Sequence, residues 1–203
     1  MIQNKIKKLK ALIERLSMLD SGLRETMSRE DFIVVEDRLG YKLSDDYKYF
    51  CSQLGRSLLD NFINVYCLNN EFIDQSNEVI VEMIEKINYG LKIKERDKEN
   101  GSEDPYPGRD DGNYIELLKS SLVFAEFNGD RAIFWDLRTY KLDDDSYDIY
   151  WYSIDCPDAE QPIKIGRSFT DFICDFCYGQ LACELILDFC SPEDSREVSY
   201  ICG

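Results

Sequence analysis

Between Ser121 and Ile154 the chain alternates apolar runs with turn chemistry, and this stretch constrains the fold more than any other. S-L-V-F-A-E-F from Ser121 and R-A-I-F-W-D-L from Arg131 flank Asn128-Gly129, a pair that tolerates positive φ in a two-residue hairpin turn. After the acidic turn Asp143, Asp144, Asp145, the run D-I-Y-W-Y-S-I from Asp148 supplies a third strand, and a short P-I-K-I adds an edge. Strands joined this closely pair antiparallel. Period-two alternation sends Trp151 to one face and Tyr150 and Tyr152 to the other. Most of the aromatic residues are therefore expected in the core, with the outward ones free to anchor an interface.

Helical patterns bracket the meander. Ser28 and Asp31 form a capping box, Phe32, Val35 and Leu39 recur at helical spacing, and Gly40 supplies a left-handed stop. Leu43 leads into a second helix in which Ser44 is the expected cap and Asp45 and Asp46 sit in the first turn, where the helix dipole favours negative charge. Tyr47, Phe50, Cys51 and Leu54 line one face of it before Gly55. Upstream, Ile2, Ile6, Leu9, Ile13 and Leu16 make an apolar stripe with lysines opposite, an amphipathic helix over 2–18 that docks on the body or on a partner. F-I-N-V-Y-C-L from Phe62 reads as a strand. Val79, Ile80, Met83, Ile84 and Ile87 then mark a helix that Gly90 is expected to end. From Lys92 to Asn113 apolar periodicity nearly vanishes, which predicts a long charged loop. Ser168 with Asp171 forms a second capping box, opening a closing helix through Phe169, Phe172, Ile173, Phe176 and Cys177 that Leu181, Leu185 and Phe189 extend.

These elements predict an α+β fold with a mostly antiparallel sheet and helices packed around it. The domain reading is an N-terminal helix over 1–20 and a single domain over 21–203 carrying the 92–113 loop. A content of 44% hydrophobic and 13% aromatic residues suits an ordered core despite a net charge of −16. Residues 1–16 hold five cations against Glu14, a balance of +4, which leaves −20 for residues 17–203. A body that acidic repels nucleic acid and anionic membrane and attracts a basic partner, although acidity also serves solubility alone. Glu14 and Arg15 break any signal-peptide apolar run, and no stretch approaches the ~20 apolar residues of a membrane span. A cytoplasmic location with reduced cysteines is expected.

The chain has no histidine, which removes the commonest general base, the usual Ser-His and Cys-His pairs and the commonest metal ligand. Cys174 and Cys177 form a C-x-x-C followed by Cys183 and Cys190, but they lie in an apolar helical pattern that reads as core packing rather than zinc or redox chemistry. Asp143, Asp144, Asp145 and Asp148 lack the glycine and glutamate of a calcium loop, and no glycine-rich phosphate loop occurs. No catalytic residue, metal or cofactor is expected. Protein-binding candidates are the acidic turns: Glu103, Asp104, Asp110, Asp111, Asp143, Asp144, Asp145 and Asp148.

V-V-E-D-R-L-G-Y-K-L-S-D-D-Y-K-Y-F (Val34 to Phe50), F-A-E-F-N-G-D (Phe124 to Asp130) with Asp136 beyond it, D-I-Y-W, and I-G-R-S-F-T-D-F-I (Ile165 to Ile173) together resemble the SUKH superfamily. The resemblance spans about residues 28–178. Ser44 stands where that family commonly has proline, and Leu54-Gly55-Arg56 where it commonly has an Asn-Gly turn. The resemblance implies an α+β domain without catalytic residues. In bacteria such domains often serve as immunity proteins that bind and neutralise a toxin domain, commonly a nuclease. The acidic body fits this by steering onto a basic nuclease site. The superfamily also includes a yeast cell-wall-synthesis regulator, and the resemblance to it implies an alternative, a regulatory scaffold for signalling or cell-wall-synthesis proteins. An enzyme using cysteine or carboxylates is a third.

Overall fold

The structure, a computed structural model, describes residues 2–19, 26–59, 63–101 and 107–177. In chain order the elements are α1 (Ile2–Leu19), α2 (Arg29–Leu39), α3 (Asp45–Leu54), β1 (Ser57–Leu59), β2 (Ile63–Val65), α4 (Asn70–Glu99), α5 (Asp111–Lys119), β3 (Ser121–Phe127), β4 (Arg131–Lys141), β5 (Ser146–Ser153), β6 (Ile163–Gly166) and α6 (Phe169–Asp171). A π-helical stretch, Phe172–Cys177, continues α6. Glu103, Asp104, Cys183, Cys190 and the expected extension through Leu181, Leu185 and Phe189 lie outside the described residues.

The first helical pair forms as its local chemistry dictates. Ser28 Oγ accepts from the Asp31 N–H, the Asp31 carboxylate accepts from the Ser28 N–H, and Gly40 at φ 68° ends α2. The start of α3 departs from expectation. Ser44 occupies the N-cap without a side-chain cap bond. Instead the Asp145 carboxylate, carried by the β4–β5 turn, accepts from the Asp45 N–H at 2.6 Å. Asp46 does not face solvent but is buried, accepting from the Thr170 N–H at 2.8 Å and its Oγ1 at 2.9 Å, which ties α3 to α6. Burial raises its pKa, against the hydrogen bonds it accepts.

One six-stranded sheet runs in the order β1-β2-β3-β4-β5-β6, each neighbour antiparallel. Asn128 and Gly129 take the positive φ that the hairpin requires, 50° and 78°. Phe127 pairs with Arg131, however, so three residues rather than two span the turn. Register shifts in β3 between Val123 and Ala125, a bulge that turns both Phe124 and Ala125 to the same face.

Both faces of the sheet are covered. On one, Val65, Phe124, Trp135 and Trp151 meet Tyr47 and Phe50 of α3, Phe169 of α6, and Phe172 and Phe176 beyond it. Tyr47 is central: its ring stands edge-on to Trp135 at 4.9 Å and to Phe169 at 5.2 Å. Its hydroxyl donates to the Tyr66 carbonyl at 2.7 Å and accepts from the Leu68 N–H at 3.0 Å. On the other face Val123, Phe134, Tyr152 and Ile154 pack against Ile80, Met83 and Ile87 of α4 and Leu117 and Leu118 of α5. Tyr150 is half-buried and Tyr152 fully buried, so these tyrosines are not the outward anchors that alternation on a one-sided sheet suggests.

Two further expectations are corrected. Gly90 does not end α4, which runs on to Glu99, and α5 begins at Asp111. The anticipated 92–113 loop is therefore helical at both ends, over 92–99 in α4 and 111–113 in α5. Helix α1 docks on the body: Leu9 and Ile13 are buried in the same core as α3 and α6, and Lys8 bonds Asp175.

Candidate functional site

The acidic residues of the β4–β5 turn are anchored within the protein. Asp145 is buried, with a backbone φ of 50°, and also accepts from Tyr140 Oη at 2.7 Å and Lys42 Nζ at 3.4 Å. Arg167 sits within ion-pair reach of Asp144 and Asp148, and Lys164 holds Asp148 at 2.6 Å. Asp143 alone of the four is exposed. Ahead of α5, Asp110 caps the helix through the Asn113 N–H at 3.2 Å. Asp111 is buried against Arg109 at 2.6 Å and Lys94 at 3.2 Å. These contacts stitch loops to the sheet and do not gather the described candidates into one exposed patch.

A different acidic surface is present on α4. Glu71, Asp74, Glu78, Glu82 and Glu85 are all exposed. At 3.6 residues per turn they fall within roughly a quarter of the helix circumference, opposite the buried Ile73, Ile80, Met83 and Ile87. Two large apolar side chains share this outer face, Val81 at 54% and Tyr89 at 66% exposure. Val81 lies in a shallow hollow of about 340 Å³ with Asn77, Glu78, Glu82 and Glu85. Asp74 bonds Arg38, and Lys86 pairs with Glu82 at 2.7 Å while donating to the Ile154 carbonyl. Glu78 and Glu85 form no ion pair among the described residues. Acidic side chains spaced i, i+3, i+7, i+11 and i+14 from Glu71 were a sequence signal for this stripe, hidden behind the apolar periodicity of the opposite face.

Cys174 and Cys177 lie in the π-helical stretch, the first half-buried and the second buried. Burial pushes the Cys174 thiol up to about 11, leaving it protonated and a poor nucleophile at neutral pH. Among the described residues no group of three or more histidine, cysteine, aspartate or glutamate side chains is placed to hold a metal ion. None of the described helices is long and apolar enough to cross a membrane.

The arrangement is a three-layer α+β domain whose most distinctive outer feature is an acidic helix face with apolar centres. Over residues 26–175 the chain matches the family model described as the SMI1 / KNR4 family (SUKH-1), and it belongs to that family. No curated protein and no solved structure matches it.

Proposed function

We propose that this protein is a non-enzymatic immunity protein that neutralises a cognate toxin domain by laying the outer face of α4 across a basic surface of it. Membership of the SUKH-1 family carries the reading. The absence of histidine and the acidity of α4 agree with binding rather than catalysis. The physics of the stripe adds support. Like charges at i, i+4 destabilise a helix by roughly 0.2–0.5 kcal/mol per pair, so a stripe containing Asp74, Glu78 and Glu82 costs stability that a function would have to offset.

The test is co-purification with the toxin domain encoded beside the gene, at rising salt, for the wild type and for Glu78→Lys combined with Glu85→Lys. Wild-type binding that weakens with salt, and falls roughly tenfold or more in the variant, is expected. Absent or salt-insensitive wild-type binding overturns the reading. Capture of several unrelated signalling or cell-wall enzymes in its place favours the scaffold alternative. Glu78→Lys alone places a cation between Asp74 and Glu82 and is expected to raise stability by roughly 0.5 kcal/mol while weakening the complex. Opposite signs in the two measurements distinguish a binding face from a merely solvated one.

A further inference from the structure

Between α2 and the start of α4 lies a hollow of about 630 Å³. Met27, Val34, Val35 and Cys67 give it apolar walls, and Arg56, Tyr66 and Phe72 border it. Arg56 follows Gly55, whose φ of 67° turns the chain out of α3. Its guanidinium lies 5.3 Å from the Phe72 ring centre and 5.6 Å from that of Tyr66, and the two rings stack at 4.8 Å. Nε donates to Asn64 Oδ1 at 3.3 Å, which fixes the plane of the group.

The platform beneath it is anchored. The Tyr66 N–H donates to the Phe124 carbonyl at 2.9 Å, the Tyr66 carbonyl takes the Tyr47 hydroxyl, and the Phe72 N–H is capped by Asn69 Oδ1 at 2.9 Å. Elsewhere Arg38, Arg109, Arg131, Arg138 and Arg167 all rest on carboxylates. Arg56 forms no ion pair among the described residues, although Asp31 and Glu71 also line the hollow. Asp31 is taken up by the Ser28 N–H at 2.7 Å, and Glu71 accepts from Gln75 at 3.4 Å. Arg56 is thus a cation held in place by aromatic rings and one amide, with its two terminal NH₂ groups left to form a fork. That fork matches a carboxylate in two parallel hydrogen bonds.

We infer that this hollow is a docking site for one carboxylate-bearing residue of a partner's peptide segment, Arg56 donating to the carboxylate while flanking aliphatic side chains enter against Val34, Val35 and Met27. The neighbouring Asp31 and Glu71 favour a singly charged carboxylate over a doubly charged phosphate. The inference goes beyond the α4 reading: the stripe meets a basic surface, whereas this hollow selects a single acidic residue. It is tested without any toxin.

The full chain, labelled for two-dimensional NMR, is titrated with the blocked tripeptide acetyl-Leu-Glu-Val-amide. The same titration is run with the Gln and phosphoserine counterparts, and on Arg56→Gln and Arg56→Lys proteins. Saturable shifts at the amides of Arg56, Asn64 and Phe72 are expected for the Glu peptide. Affinity should fall roughly tenfold for the Gln peptide and for Arg56→Gln, the loss expected when a charged hydrogen-bonded pair is removed. Arg56→Lys, which keeps the charge but not the fork, should fall between. Arg56 is exposed, so unchanged amide positions elsewhere certify that the variants fold. No saturable shift, equal binding of the Glu and Gln peptides, full binding by Arg56→Gln, or tighter binding of the phosphopeptide each overturns the inference.

Discussion

Asp145 shows how one side chain can join parts of the chain that sequence reasoning keeps separate. Its oxygens accept from the Asp45 N–H, Tyr140 Oη and Lys42 Nζ, the first of these 100 residues away. Asp145→Ala is expected to cost about 1–3 kcal/mol, read as a lower urea midpoint at unchanged slope, because a helix cap and a buried acceptor are lost together. The neighbouring Asp143→Ala should change stability by less than about 0.5 kcal/mol, as exposed substitutions do. Asp136 supplies a pH test. Burial alone would raise its pKa, but hydrogen bonds from the Arg138 side chain and N–H and from Ser120 Oγ hold it below the usual carboxylate range. A carboxylate lowered by folding adds stability above its unfolded value of about 3.9 and loses it as pH falls through the lower folded value. Asp136→Asn should therefore lower the urea midpoint at neutral pH, with the two proteins converging as pH drops below about 4. At this scale the sequence was legible where partners are local, as in the Ser28–Asp31 box. It was opaque for Asp145, which read as a binding-surface residue, and for Asp46, which read as a first-turn partner of the helix dipole, because their donors come from distant segments.

Helix α4 makes the same point for an element. Gly90 read as a stop, since glycine beyond an apolar repeat commonly ends a helix. Its reason is close approach: a Cβ added there would sit 2.7 Å from the Cβ of Asp158, in the loop that follows β5. Replacing glycine by alanine inside a helix ordinarily gains up to about 1 kcal/mol. Gly90→Ala should reverse that sign and lose about 1–3 kcal/mol to overpacking, measured by urea unfolding. Combining it with Asp158→Gly should recover the loss, while Asp158→Ala, which retains the Cβ, should not. Helix α5 was missed for a related reason, its Asp110 cap lying inside the charged tract and Leu117 and Leu118 giving only a short apolar signal beyond it. The candidate α4 face was legible in principle, as carboxylates at helical spacing. The Arg56 site was not, because it depends on β2 and α4 bringing Tyr66 and Phe72 together under a residue that precedes both.

Over the whole molecule, the α+β class and the order of the meander strands could be read because each hairpin is local. The second covered face could not, since alternation in β5 does not reveal that α4 and α5 return to pack behind it. Helix α1 belongs to the common core, so deleting residues 1–19 should not leave an intact independent domain. Leu9 and Ile13 are buried to 0% and 4% exposure, and removing them is expected to cost about 3–6 kcal/mol, seen as a large fall in the urea midpoint. The exposed Lys8–Asp175 pair adds little to that figure. The sequential strand order also bears on how the chain assembles. Among the described strands, each pairs with the one made immediately before it, and only the β2–β3 closure spans a long excursion, the one holding α4 and α5. Such short-range closures are fast, whereas contacts between distant segments wait for the intervening chain. The seat of α1 is built partly from α3 and partly from α6 and the π-helical turn. During synthesis α1 emerges well ahead of its partners in α6 and the π-helical turn, and it therefore keeps part of its apolar stripe in water until residues beyond 169 follow.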